Sequence, residues 1–381
     1  MDEKSPNQEE LISLSNNYYQ DLLGYKPEKT FLQDVSEKDW DSFAFSKGLN
    51  QNSSGIYLPR NQTAIVRNKN SLSLFHEYFG HGLYCEQNLV GKKLVDLERK
   101  LLEEEKQEFQ NKNFTLEELN HFRIRNEVFN ELDKFRQENL GRYELFAIWT
   151  EYLLSKEFNL KNKFEKKYDL LDGQEKDLIN SIINFSIQYG NLATMYLQGM
   201  ARRTTTKRVR RLLEGIYGNE RVNNSKLILL TGSKKPFSDI DLFASSNDLK
   251  EIKNDWLDLC VFNEEDFEKR IKLFEIQVTY PIMSGDFITG DEDYLKQKRK
   301  QLIEQPITEE AIKHNLRKSE EQKQRAMQYP EEFNERKLGL DYSKTYLANA
   351  LTLKKGKRIF DLKKLMLYSQ SENIKVKGGL E

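Results

Sequence analysis

Two of the chain's four histidines, His76 and His81, stand five residues apart in the run Ser-Leu-Phe-His76-Glu77-Tyr-Phe-Gly80-His81-Gly82. The apolar periodicity around them predicts a helix up to at least Gly80. In a straight α-helix, five residues turn the second ring roughly 140° away from the first. The pair therefore either serves unrelated packing roles or sits where a turn holds one extra residue. A π-bulge of that kind swings both imidazoles toward one side, and such bulges favour functional sites. Gly80 lies where the backbone has to leave regular geometry, and Gly82 adds freedom just beyond it. Paired neutral imidazoles are what a catalytic zinc ion takes as ligands, and an adjacent carboxylate, here Glu77, polarises the water such a metal binds.

A further ligand has to come from another segment. In Arg142-Tyr-Glu144-Leu-Phe-Ala147-Ile-Trp-Thr-Glu151, the residues Glu144, Ala147, Ile148 and Glu151 recur at i, i+3, i+4 and i+7, one helical face. Acids flanked by Leu145, Phe146 and Trp149 point to a buried carboxylate with compensation, because unpaired burial is too costly. The small Ala147 lets the histidine helix come close. The reading adopted puts Glu144 on the metal and Glu151 behind a ligand histidine, orienting it, although the two roles can be exchanged.

The run His-Glu-Tyr-Phe-Gly-His resembles the signatures of dipeptidyl peptidase III and of the tubulin-tyrosine-carboxypeptidase-like family, both gluzincin zinc metallopeptidases. In the second family the later helix resembles Glu-Gly-Leu-Ala-x-Tyr-x-Glu. The segment from Glu144 to Glu151 matches it in both acids, the alanine and the aromatic Trp149, with Leu145 in place of the glycine. The resemblance covers residues 55–160. It implies His76, His81 and Glu144 as Zn2+ ligands, Glu77 as general base, and a peptide or protein substrate. Such a substrate would lie along the sheet edge at 56–66 by β-augmentation. A donor for the oxyanion is still required, with His121, Tyr189 and Tyr196 as candidates.

A second constellation follows in Leu-Ile-Leu-Leu-Thr-Gly232-Ser233-Lys-Lys-Pro-Phe-Ser-Asp239-Ile-Asp241-Leu-Phe. Period-two alternation places Asp239 and Asp241 on one strand face, where hard carboxylates hold Mg2+ against a nucleoside triphosphate. Gly232 allows close backbone approach to phosphate and Ser233 can hydrogen-bond it. Asp258, between Leu257 and Leu259, fits as a third carboxylate from a neighbouring strand. The pattern resembles the DNA polymerase β-type nucleotidyltransferase superfamily over 205–300, with the C-terminal helices as a substrate-selecting lobe. The stretch 234–238 between Gly-Ser and Asp239 is shorter than that superfamily commonly has.

The expected architecture is α+β, with a mainly helical metallopeptidase-like domain over 1–204. A small mixed-sheet nucleotidyltransferase-like domain with C-terminal helices follows over 205–381. Strands are expected over 56–58, 63–66, 226–231, 240–245 and 256–262. Helices are expected over 142–157, 175–200, 308–328 and 342–370, and one ending at Tyr217. Thr115 and Glu118 form a capping box that Phe114 and Leu119 would staple. The 60 basic and 61 acidic residues nearly cancel, so nothing pulls the chain globally toward nucleic acid or anionic lipid. The basic run 202–211 reads as a solvated helix face. Two distant cysteines, Cys85 and Cys260, exclude a disulfide framework and favour a reducing, cytoplasmic setting. No apolar run reaches the ~20 residues a bilayer needs, and the first ten residues lack the pattern of a secretory signal.

Together these features predict a two-domain intracellular enzyme joining zinc-dependent peptide hydrolysis to Mg2+-dependent nucleotidyl transfer. The alternative is nucleotidyl transfer alone, onto protein or RNA, with the N-terminal domain recognising a partner. A binding or scaffold protein with both sites degenerate is a third reading.

Overall fold

The computed structural model describes residues 6–110 and 115–371, and Phe114 of the expected staple lies outside them. The chain is α+β and divides into two compact units, Met1–Arg203 and Thr204–Glu381.

The first unit carries a three-stranded sheet of β1 (Phe31–Val35), β2 (Gly55–Leu58) and β3 (Thr63–Arg67), in the order β1-β3-β2. The central β3 pairs parallel with β1 and antiparallel with β2, and its Ala64, Ile65 and Val66 are buried. A turn over Pro59–Asn61, closed by left-handed Gln62, joins β2 to β3. Against this sheet lies the histidine helix, Leu74–Gly82, which also packs on a 31-residue helix, Glu127–Glu157. In the long helix Tyr143, Ala147, Thr150 and Leu154 recur at helical spacing along the buried side. It starts well before the expected residue 142. Its first half carries Val128, Leu132 and Phe135 at i, i+4 and i+7 among many charged residues, and Asn126 caps it by accepting from the Phe129 N–H.

Two expected helices are each split by a glycine. The span 175–200 consists of Gly173–Tyr189 and Asn191–Leu197, separated by Gly190 at φ 86°. In the second unit, 342–370 falls on two helices, Asn334–Lys354 and Leu362–Ser371, and Gly356 at φ 72° lies in the non-helical stretch 355–361 between them. A positive φ ends an α-helix, and glycine adopts it without steric cost. The capping box at Thr115 and Glu118 is present and opens the helix Leu116–Arg125.

The second unit is built on a five-stranded mixed sheet, with β4 (Leu227–Thr231), β5 (Ile240–Ser245), β6 (Ile252–Lys253), β7 (Leu257–Phe262) and β8 (Asp286–Gly290). Their order is β6-β7-β5-β4-β8; β5 and β7 run parallel and the other pairs antiparallel. Leu227, Leu229, Phe243 and Phe262 pack from the sheet against Phe267, Ile271 and Val278 of the covering helices. Among the described residues, no helix is long and apolar enough to cross a membrane.

Candidate functional site

The whole segment Leu74–Gly82 winds as a π-helix. Its hydrogen bonds run i→i+5, so residues five apart stand over one another. His76 and His81 consequently meet, with ring centroids 4.7 Å apart and planes at 86°. Both imidazoles lie below the surface, and Tyr143 from the long helix stacks on His81 at 3.8 Å. A Cβ on Gly80 would stand 2.7 Å from Ala147 Cα, so the two helix backbones touch at this point.

Close packing brings the acids of the long helix onto the imidazoles. Glu144 Oε2 is 3.5 Å from His76 Nε2, and its Oε1 is 3.6 Å from His81 Nε2. Glu151, one turn further from Ala147, is fully buried and reaches the other side of His76, with Oε2 3.1 Å from Nδ1. The helix geometry thus sets the two acids on different sides of His76. Glu144 faces the nitrogens that converge, and Glu151 sits behind one of them. Glu77 Oε2 lies 4.0 Å from His81 Nε2. Among the described residues, His76, Glu77 and His81 form the cluster whose ligand atoms fall within 4.8 Å of one another. Lys167, absent from the sequence reading, donates to Glu151 Oε2 at 2.7 Å.

Burial and pairing polarise the group strongly. At His76 burial works against a proton, but the hydrogen bonds with Glu144 and Glu151 win and lift its pKa to about 10. Burial takes His81 down to about 3. Burial also lifts the Glu77 carboxyl to about 7. At Glu144 burial is outweighed by the hydrogen bond with His76, which holds its pKa at about 2.

The donor set fits zinc. Two imidazole nitrogens and one carboxylate are a catalytic zinc ligand set, and arms of about 2.1 Å place tetrahedral corners about 3.4 Å apart. Glu144 meets the two imidazoles through different oxygens, Oε2 at 3.5 Å from His76 Nε2 and Oε1 at 3.6 Å from His81 Nε2, so one carboxylate faces both nitrogens. Among the described residues, His81 Nδ1 is buried without a hydrogen-bond partner, and its Nε2 is the nitrogen that faces Glu144.

The oxyanion candidates fare differently. His121 is exposed beside Glu117, and Tyr189 contacts Gln188 and Phe185. Tyr196 is buried in the helix Asn191–Leu197. Tyr143 and Tyr57, whose ring is 6.2 Å from that of His81, also line a mainly apolar cavity of about 320 Å³ with Tyr84, Leu94 and Phe135.

In the second unit, Asp241 on β5 lies directly opposite Asp258 on β7. Burial, followed by the charges of Asp239 and Asp258, lifts Asp241 to about 6, while a Ser233 backbone N–H bond opposes the rise. Gly232 adopts φ 66°, and a Cβ there would fall 1.7 Å from Asp241 Oδ2. The short 234–238 loop is tied down: Lys234 pairs with Asp286 of β8, and Ser238 Oγ donates to Ser233 O at 3.1 Å. Tyr342 stands within electrostatic reach of Asp241 and Asp258.

No family model matches the chain, and no curated protein does. Among solved structures it is similar to a nucleotidyltransferase-like protein from Exiguobacterium sibiricum. The two are 15% identical with a TM-score of 0.26, and the match covers 45% of this chain and 69% of that one.

Proposed function

We propose that the first unit is a zinc-dependent peptide hydrolase. The observation that supports it most is Glu144, which spans the Nε2 atoms of two histidines that a π-helix has brought together. His76, His81 and Glu144 would hold the ion, which supplies Lewis-acid activation of water and of a scissile carbonyl. Glu77 is not needed as a ligand. Its Oε2, 4.0 Å from His81 Nε2, would take a proton from the attacking water and return it to the leaving nitrogen. Among the described residues, one edge of β2 has no strand partner, and its N–H and C=O groups can pair with an extended substrate. Tyr57, on that strand, approaches His81, which favours a polypeptide as the molecule cut. The test is hydrolysis of a peptide library by zinc-loaded protein. Glu77→Gln is expected to lower kcat by about 100- to 10,000-fold with zinc retained. Unchanged turnover in that variant contradicts the assignment.

For the second unit we propose Mg2+-dependent nucleotidyl transfer to a protein or RNA acceptor. Asp239, Asp241 and Asp258 would hold the metal, with Gly232 and Ser233 at the triphosphate. The support is the register that sets Asp241 beside Asp258 and the Gly232 backbone pressed against them, rather than the distant likeness to a solved structure. Incubation with each labelled nucleoside triphosphate tests it. Label transfer lost in Asp239→Ala with Asp241→Ala supports the reading, and no transfer by the wild type contradicts it. Nucleotidyl transfer as the sole chemistry, with the first unit recognising a partner, is distinguished by a protein that labels an acceptor and takes up no zinc.

A further inference from the structure

Glu151 has a fully buried side chain, yet one of its oxygens serves two donors. Oε2 meets His76 Nδ1 at 3.1 Å and Lys167 Nζ at 2.7 Å, while Oε1 is buried with no hydrogen-bond partner among the described residues. A carboxylate withdrawn from water this far persists only with a compensating charge, and Lys167 brings one. It arrives from a separate short helix, Lys161–Tyr168, that follows the long one. That helix is anchored by Phe164, buried and edge-on to Tyr152 at 5.5 Å, and Phe164 also stacks on Tyr168. Tyr152 is the residue next to Glu151, and Phe164 lies three positions before Lys167, so the aromatic contact delivers the ammonium to the acid. Lys167 remains partly exposed, which fits a lysine whose stem lies on the protein while its head reaches inward.

We propose that Lys167 is a positioning residue for the metal centre, fixing Glu151 so that His76 is held by Nδ1 and presents Nε2 to the ion. The inference rests on the zinc reading above. The ammonium and the imidazole share one oxygen, so the carboxylate cannot rotate toward its free oxygen without breaking both bonds. His76 is the ligand that depends on this. Its Nδ1 meets Glu151 and its Nε2 faces Glu144 at 3.5 Å, so a swing of Glu151 turns the ring and moves Nε2 off the point shared with His81. His81 has no such support among the described residues, where its Nδ1 is unpartnered. The geometry of the whole centre therefore hangs on the Lys167–Glu151–His76 line.

The test is zinc affinity of the full chain, measured by competition with a chromophoric chelator for wild type, Lys167→Met and Lys167→Arg. Partners that hold metal ligands in place are worth about 10- to 100-fold in metal affinity. Lys167→Met is expected to lose that factor and Lys167→Arg to recover most of it. A role in stability alone would not move the second readout, the imidazole 15N shifts of the zinc-loaded protein, assignable in a chain with four histidines. The His76 signals are expected to shift in Lys167→Met and to stay in place in Lys167→Arg. Should Lys167→Met fail to fold, Lys167→Ala, which also removes both the donor and the charge, is read in the same way. Wild-type affinity in the uncharged variant, or Lys167→Arg as weak as Lys167→Met, overturns the inference alone. A wild-type chain that takes up no zinc overturns the zinc reading and this inference with it.

Discussion

Gly80 rests directly on Ala147: a Cβ at Gly80 would lie 2.7 Å from the Ala147 Cα and 2.9 Å from its Cβ. This contact sets the gap between the π-helix and the long helix. Glu144 stands one turn before Ala147 and has to cross that gap to both imidazoles. Two residues without functional groups are therefore as important to the site as its acids.

Gly80→Ala should force the helices apart. A destabilisation of about 1–3 kcal/mol is expected from overpacking, together with lower zinc uptake, read by thermal melts and metal content. Adding Ala147→Gly removes the contact with Cβ but leaves those with Cα and the carbonyl oxygen, so the double variant should recover only part. Wild-type stability and zinc content in Gly80→Ala would show that the contact does not set the gap.

Asp241 is crowded by Asp239 and Asp258 when no cation lies between them. Asp241→Asn should make the metal-free protein more stable by about 1 kcal/mol, a figure kept low because the carboxylate is only half-buried. The same change should abolish Mg2+-dependent nucleotide binding, a trade of stability against function. Urea melts in the presence of a chelator measure the first effect and calorimetry the second. A less stable Asp241→Asn protein would mean that the three acids do not repel one another.

Glu275 supplies a pH test in the second unit. Burial alone would raise its carboxyl. The hydrogen bond with His314 Nε2 at 3.0 Å and the nearby charges of Arg270 and Lys318 hold it below the ordinary range instead. A carboxyl depressed by folding contributes stability that is complete above its unfolded pKa, about 4.3, and is lost as pH falls through the lower folded value. Glu275→Gln should therefore cost about 2 kcal/mol near pH 6, and its deficit against wild type should shrink below about pH 4. Melting curves across that range decide it, and a deficit independent of pH contradicts the ion-pair origin.

The sequence made parts of this structure legible for local reasons. The five-residue histidine spacing asked for a widened turn because regular helix geometry has no other way to join the rings. The i, i+3, i+7 placement of Glu144, Ala147 and Glu151 put two acids and a small residue on one face before any coordinates. Sorting the acids required tertiary packing, since spacing alone leaves them equivalent. Lys167 was hidden in Lys-Asn-Lys-Phe-Glu-Lys-Lys-Tyr, where any of four lysines looks solvated and only the docking of Phe164 selects one. β1 was missed because its Phe31 is 70% exposed and its single buried residue, Val35, gives no alternation. β8 was missed because Asp286 and Gly290 bracket only three strand-like residues, and its pairing with β4 lies more than fifty residues away in sequence.

The most direct test of the metal centre is the zinc content of purified chain after dialysis, by elemental analysis of wild type, His81→Ala and Glu144→Ala. One zinc per chain in the wild type and little in either variant is expected if these side chains close the coordination shell. A wild type without zinc, or the same zinc content in all three proteins, would contradict the assignment of His76, His81 and Glu144 as a metal site.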